Sequence, residues 1–180
     1  MANLCEMENS MQPESDQKNL RGTGTHQFST FFLGERLYGI DVMQVQEVTK
    51  PMPVTQIRLA PAYVEGLINL RGQIATAIGL RELFGLNAGE KTEKMTVVCK
   101  SDGNLYSLLV DRIGDVIEVS SANFEEPPDT LSPCIRQFMV GVYKTEGPIM
   151  SVIGVDKIFK KLNENDLQQI NSSKTEKKVN

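Results

Sequence analysis

The chain has 180 residues, 40% of them hydrophobic, a formal net charge of −4 and a pI near 5.1. That length suits one ordinary domain or two small ones with a packed core. The acidic balance speaks against a general binder of nucleic acid or of an anionic membrane, which usually carries a basic face.

Residues 1–26 are polar and lack apolar periodicity, so a disordered leader is expected there, with His26 a solvated linker residue at its edge. No basic region precedes an apolar stretch, no run approaches the roughly 18 apolar residues of a spanning helix, and a cytoplasmic location follows as the expectation. Residues 27–33 (QFSTFFL) read as a strand, Gly34-Glu35 as a turn, and 36–41 (RLYGID) as the hairpin partner. In VMQVQEV, Val42, Val45 and Val48 recur every third residue. That spacing predicts a helical turn with the valines inward and Gln44, Gln46 and Glu47 toward the other side. Pro51, Pro53 and Pro61 then punctuate a surface connection.

Residues 66–84, GLINLRGQIATAIGLRELF, set two apolar runs around Leu70-Arg71-Gly72. Glycine reaches positive φ at little steric cost, so the pattern predicts a tight hairpin with Arg71 at its tip. Leu80, Leu83 and Phe84 make a helical turn that Gly85 ends. After a polar loop (87–93) come a strand (95–100), a turn at Asp102-Gly103, a strand (104–111) and a period-two strand (114–119). A proline-broken loop (125–133) leads to a last hairpin, 138–144 with 148–155. Residues 156–170 suit a helix with Ile158, Phe159, Leu162, Leu167 and Ile170 as its apolar positions, and 171–180 a flexible polar tail. Many short strands and few helices make an all-β protein of small barrels or a sandwich.

The pattern is written twice. GVYKTEGPIMSVIGVDKIF, 75 residues after the first run (66 to 141), repeats its glycines at Gly141, Gly147 and Gly154, its isoleucines at Ile149 and Ile153, and its aromatic at Phe159. Upstream, Leu37-Tyr38 recurs 68 residues on as Leu105-Tyr106, and Val42, Val45 and Val48 recur as Val110, Ile113 and Val116. A duplicated unit of roughly seventy residues is inferred, each copy a small barrel unable to bury a large core alone, the pair gaining a shared apolar seam and a groove. The tips differ: Arg71 in the first copy is Glu146 in the second. A planar five-donor guanidinium at the first tip suits a partner's carboxylate or carbonyls.

Other chemistry is thin. The three cysteines (Cys5, Cys99, Cys134) are scattered, with no CxxC and no histidine pair nearby, which indicates neither a disulfide framework nor a zinc site. No nucleophile–base pair or phosphate-cradling loop is evident, and Glu125-Glu126 sit in a proline loop where solvated carboxylates are the rule. No catalytic residue, cofactor or metal is expected. A pair of SH3-like barrels serving RNA or the ribosome is the alternative class, but the basic residues are not clustered with aromatics as that would need.

Tyr38-Gly39-Ile40-Asp41, Val45-Gln46-Glu47-Val48, the run from Gly66 through Asn69-Leu70-Arg71-Gly72, Leu80-Arg81 and the repeat ending in Val155-Asp156 together resemble the CheW family of bacterial chemotaxis coupling proteins. The resemblance implies two SH3-like five-stranded barrels (residues 27–170) with short helices and a C-terminal helix, and no catalysis. It implies a scaffold joining the cytoplasmic tip of methyl-accepting chemoreceptors to the regulatory domain of the histidine kinase CheA, recruited to membrane-associated receptor arrays, with no nucleic acid bound and no direct membrane insertion. It further implies a receptor-facing turn of Asn69, Leu70, Arg71 and Gly72, with Glu47 and Val45 the other half of that surface. One departure is that family members often carry an aspartate where this chain has Gly79, and Gly154 repeats the change.

Overall fold

The computed structural model describes residues 20–164 apart from 22, 88–92 and 102. Most of the expected leader, the far part of the expected last helix and the expected tail lie outside these residues. The ordered chain reaches back past residue 26: β1 (Thr25–Leu33) opens with Thr25 and His26, and Leu20 is buried. His26 is thus a strand residue, opposite Val119 and 3.0 Å from the Ser121 hydroxyl through Nε2, not a solvated linker.

β1 turns at Gly34 into β2 (Arg36–Asp41), as its alternation and glycine predict. The next segment departs from expectation. Only Val42–Gln44 coil, as a single 3-10 turn capped by the Asp41 carboxylate, and Val45–Thr49 extend as β3. The valine spacing suited a helical turn, but β-branched side chains favour an extended backbone where a neighbouring strand offers pairing. Val48 consequently faces out, at 40% exposure, where a helical turn would have turned it inward. β4 (Val64–Leu70) and β5 (Gln73–Gly79) form the predicted hairpin, and α1 (Leu80–Leu83) follows. Then come β6 (Met95–Ser101), β7 (Asn104–Val110), β8 (Arg112–Ser120), a two-residue β9 (Phe124–Glu125) and α2 (Pro133–Arg136). β10 (Met139–Tyr143), β11 (Met150–Ile153) and a helix over 155–164, α3, complete the described chain.

The strands make two sheets, one in the order β3-β6-β7-β5-β4 and the other β8-β1-β2-β11-β10-β9. The duplication is visible in the register. Parallel β5–β7 pairs Ala75, Thr76 and Ala77 with Leu105, Tyr106 and Ser107. Parallel β11–β2 pairs Met150, Ser151 and Val152 with Leu37, Tyr38 and Gly39, the equivalent residues of the two copies. What the sequence did not reveal is the exchange between them. The first copy's hairpin β1–β2 occupies the middle of the second copy's sheet, and the second copy's hairpin β6–β7 occupies the middle of the first copy's. Neither copy is a barrel by itself, contrary to the reading of one barrel per copy; each subdomain is built from both.

Strand alternation sorts the core into three layers. Phe31, Leu33, Tyr38, Ile40, Val97, Cys99, Tyr106 and Leu108 join Phe84, Phe138 and Phe159 in a seam shared by the two sheets. Alternate residues of the same strands fill a smaller core in each subdomain: Phe28 and Leu37 in one, Val98 and Leu109 in the other. Two equivalent aromatic contacts tie each helical segment to the opposite sheet, Phe84 with Tyr38 at 5.8 Å and Phe159 with Tyr106 at 3.8 Å between ring centroids. Each such pair adds on the order of 1 kcal/mol beyond its buried area.

Candidate protein-interaction site

Leu70 and Gln73 are the last paired residues of β4 and β5, which leaves a loop of two residues, Arg71 and Gly72. Both have positive φ, 52° and 90°. Positive φ at both positions marks a I′ turn, whose twist matches that of the strands it joins. Arginine seldom adopts this backbone. Asn69 supports it, its Oδ1 accepting the Gly72 N–H at 2.8 Å. The Arg71 Nη2 donates to Glu47 Oε2 at 3.0 Å, with the arginine side chain 86% exposed and the glutamate 23%. The tip therefore presents an arginine oriented by a carboxylate from another strand, with most of its guanidinium facing water.

Glu47 reaches this position because β3 carries a bulge. Val45 lies opposite Cys99 while Glu47 lies opposite the adjacent Val98, so the two point to opposite faces. Val45 packs against the shared seam. Leu70 is 6% exposed and belongs to the smaller core of its subdomain. Of the six residues singled out from sequence, the structure thus gathers Asn69, Arg71, Gly72 and Glu47 at one tip. It sets Leu70 and Val45 beneath them as packing residues.

The second tip is built differently. The Thr145 hydroxyl accepts the Gly147 N–H at 3.2 Å and donates to the Pro148 carbonyl at 2.7 Å. Glu146 stands where the first tip has Arg71, and Asp115 stands where it has Glu47. Two acids cannot form the ion pair of the first copy, so the two ends of the molecule differ in charge although their backbones correspond.

Two charged groupings were not foreseen. Asp111 is the single residue between β7 and β8, where the chain passes from one sheet to the other. Its carboxylate takes the Arg81 Nε–H at 2.9 Å and the Gly34 N–H at 2.6 Å, and Arg81 also donates to the Asn87 carbonyl at 2.9 Å. The Arg81 hydrogen bond, together with the Gly34 N–H and against the pull of burial, holds the Asp111 carboxyl below its ordinary value. The signal available in the sequence was an acid ending the apolar run of β7. The second grouping explains Gly79. A Cβ there would lie 2.5 Å from a Glu65 oxygen and 2.2 Å from a Glu82 oxygen, and Lys94 bridges the two glutamates. Carboxylates from neighbouring positions fill the space an aspartate at 79 would claim.

Among the described residues no cluster of His, Cys, Asp and Glu is placed to hold a metal, and no helix is long and apolar enough to cross a membrane. Burial pushes the Cys99 thiol up to about 12, which leaves it an inert core residue. A cleft of about 700 Å³ opens on the five-stranded subdomain, walled by β5, β7 and the end of α3.

Fold and tip together define the class: a two-subdomain β scaffold presenting a stiff, charged hairpin end. The model of the CheW-like domain matches residues 27–163. The chemotaxis protein CheW of Treponema pallidum is 35% identical over 138 residues, covering 74% of this chain and 81% of that protein. The CheW of Rhizobium meliloti is 31% identical over 137 residues, covering 76% and 88%. Among solved structures, the scaffolding protein TtCheW from Thermoanaerobacter tengcongensis superposes with a TM-score of 0.67 at 31% identity, covering 73% of this chain and 90% of that one. The chain belongs to the CheW family of chemotaxis coupling and scaffold proteins. This displaces the RNA-binding alternative.

Proposed function

We propose that the chain couples the cytoplasmic tip of chemoreceptors to the regulatory domain of the histidine kinase CheA, without catalysis or cofactor, in arrays beneath the membrane. The observation that carries this reading is the ion-paired tip. Asn69 fixes the turn, Glu47 orients Arg71, and an exposed guanidinium on a rigid hairpin can engage a partner's carboxylate or carbonyls with little ordering cost. Leu70 and Val45 support the tip from below and need not touch the partner. Charge at such a rim governs register and partner choice more than raw affinity.

Pull-down with receptor cytoplasmic fragments and with CheA tests the reading. Arg71→Glu and Glu47→Lys should each abolish receptor capture while CheA capture persists. Retention of the receptor by both variants would remove the tip from the contact. Failure of the unaltered chain to capture either partner would overturn the coupling role itself.

A further inference from the structure

We propose that the chain following Glu164 folds back onto the cleft beside α3, seating Leu167 and Ile170 against Ile74. The first argument is where the chain is delivered. In the first copy the helix stops at Gly85, which has a φ of 65° and whose N–H meets the Glu82 carbonyl at 3.3 Å, with Leu86 N–H on the Arg81 carbonyl at 2.9 Å. Glycine in this left-handed position is a standard helix stop. The equivalent residue of the second copy is Lys160, and the helix runs on to 164. That extension brings Leu162 and Asn163 into the wall of the cleft.

The second argument is what waits there. Ile74 lies in the same wall and is 60% exposed, with Thr76, Lys100 and Tyr106 around it. The third is the sequence that follows. Residues 165–170 read NDLQQI, with two large apolar side chains and, in Asp166, an acid to meet Lys100. Six extended residues span about 20 Å, ample for a wall that the preceding residues already line. The family match ends at 163, so this segment is an addition of this chain. The other terminus is poorly placed to compete, because Leu20 is anchored in the small core of the six-stranded subdomain.

The molecule supplies its own control. Ile149 is the equivalent of Ile74 on the other subdomain and is 61% exposed, yet α1 ends without a comparable extension. Ile74 follows the Arg71-Gly72 tip by two residues, so a seated tail would crowd the side of the hairpin. Any effect on receptor capture rests on the function proposed above, whereas the seating itself can be read without a partner.

Methyl NMR on the full-length chain provides the test. Cross-peaks between the Ile74 methyl and those of Leu167 or Ile170 are expected. In the Leu167→Ser/Ile170→Ser variant the Ile74 resonance should shift while that of Ile149 stays in place. A peptide of residues 165–180 added to a chain ending at 164 should restore the Ile74 position. Ile74 cross-peaks confined to its own sheet, an unshifted Ile74 in the variant, or equal movement of Ile149 would each overturn the proposal. So would an Ile74 shift that disappears on dilution, which would make a second copy the occupant.

Discussion

At the tip, geometry and energy point in different directions for Arg71. An ion pair whose arginine is 86% exposed is screened by water and contributes at the low end of the ~0.2–1 kcal/mol typical of surface pairs. Arg71→Ala should therefore lower the melting temperature by no more than about 2 °C, while receptor capture in a pull-down is lost. A large fall in melting temperature would mean the residue serves the fold. Gly66 is the opposite case. Its φ is 148°, and a Cβ there would sit 2.2 Å from the Thr55 carbonyl, whose N–H and C=O both pair with Leu67 at 2.8 Å. Gly66→Ala should destabilise the protein by roughly 1–3 kcal/mol. Faster amide exchange at Thr55 and Leu67 would locate the damage. The glycines and the tip residues were legible in the sequence because turn chemistry is local. Leu70 was not, because the motif was taken as one unit. The alternation of β4, with Ile68 and Leu70 both buried and Asn69 exposed, separates what the motif joins.

Among the elements, β3 and the β7–β8 junction show how neighbours override local pattern. The spacing in VMQVQEV favoured a coil of helix until β6 offered Val97, Val98 and Cys99 as pairing partners. Nothing in the seven residues themselves announces that partner. Asp111 likewise escaped notice because its role depends on three distant elements: the β1–β2 turn, α1 and the crossing between sheets. Its folded-state pKa is depressed. The stabilisation is therefore fully present above the unfolded carboxylate value and is lost as pH falls through the lower, folded value. Asp111→Asn should cost about 1–3 kcal/mol at neutral pH. In urea unfolding, the gap between variant and unaltered protein should narrow as the solution is acidified into that range. A gap that does not change with pH would assign the loss to packing instead of charge.

The whole molecule is a duplication whose copies cannot be separated. Repeated residues reveal that two units exist, but pairing between distant strands leaves no mark on the repeat itself. The exchange therefore became visible only in the sheet order. Each half of the chain supplies the middle hairpin of the other half's sheet. Cutting the chain between α1 and β6 should then yield two fragments that are each unfolded by circular dichroism and regain strand structure when mixed. A half that folds alone would contradict the shared construction. The shared seam argues the same way, since Phe84 and Phe159 each bury themselves against the other sheet. Every fully buried side chain of this kind contributes about 1.5–3 kcal/mol.

The hairpin exchange also bears on oligomers formed by accident. Strand pairing recognises register and side-chain pattern, not whether the incoming hairpin is covalently continuous with the sheet that receives it. During refolding at high concentration, β6–β7 of one molecule can complete the sheet of another, and the favour can be returned. The product would be a swapped dimer whose sheets are identical to those of a single chain. Dilution should suppress it, and once formed it should persist, since releasing it requires both sheets to open at their centres.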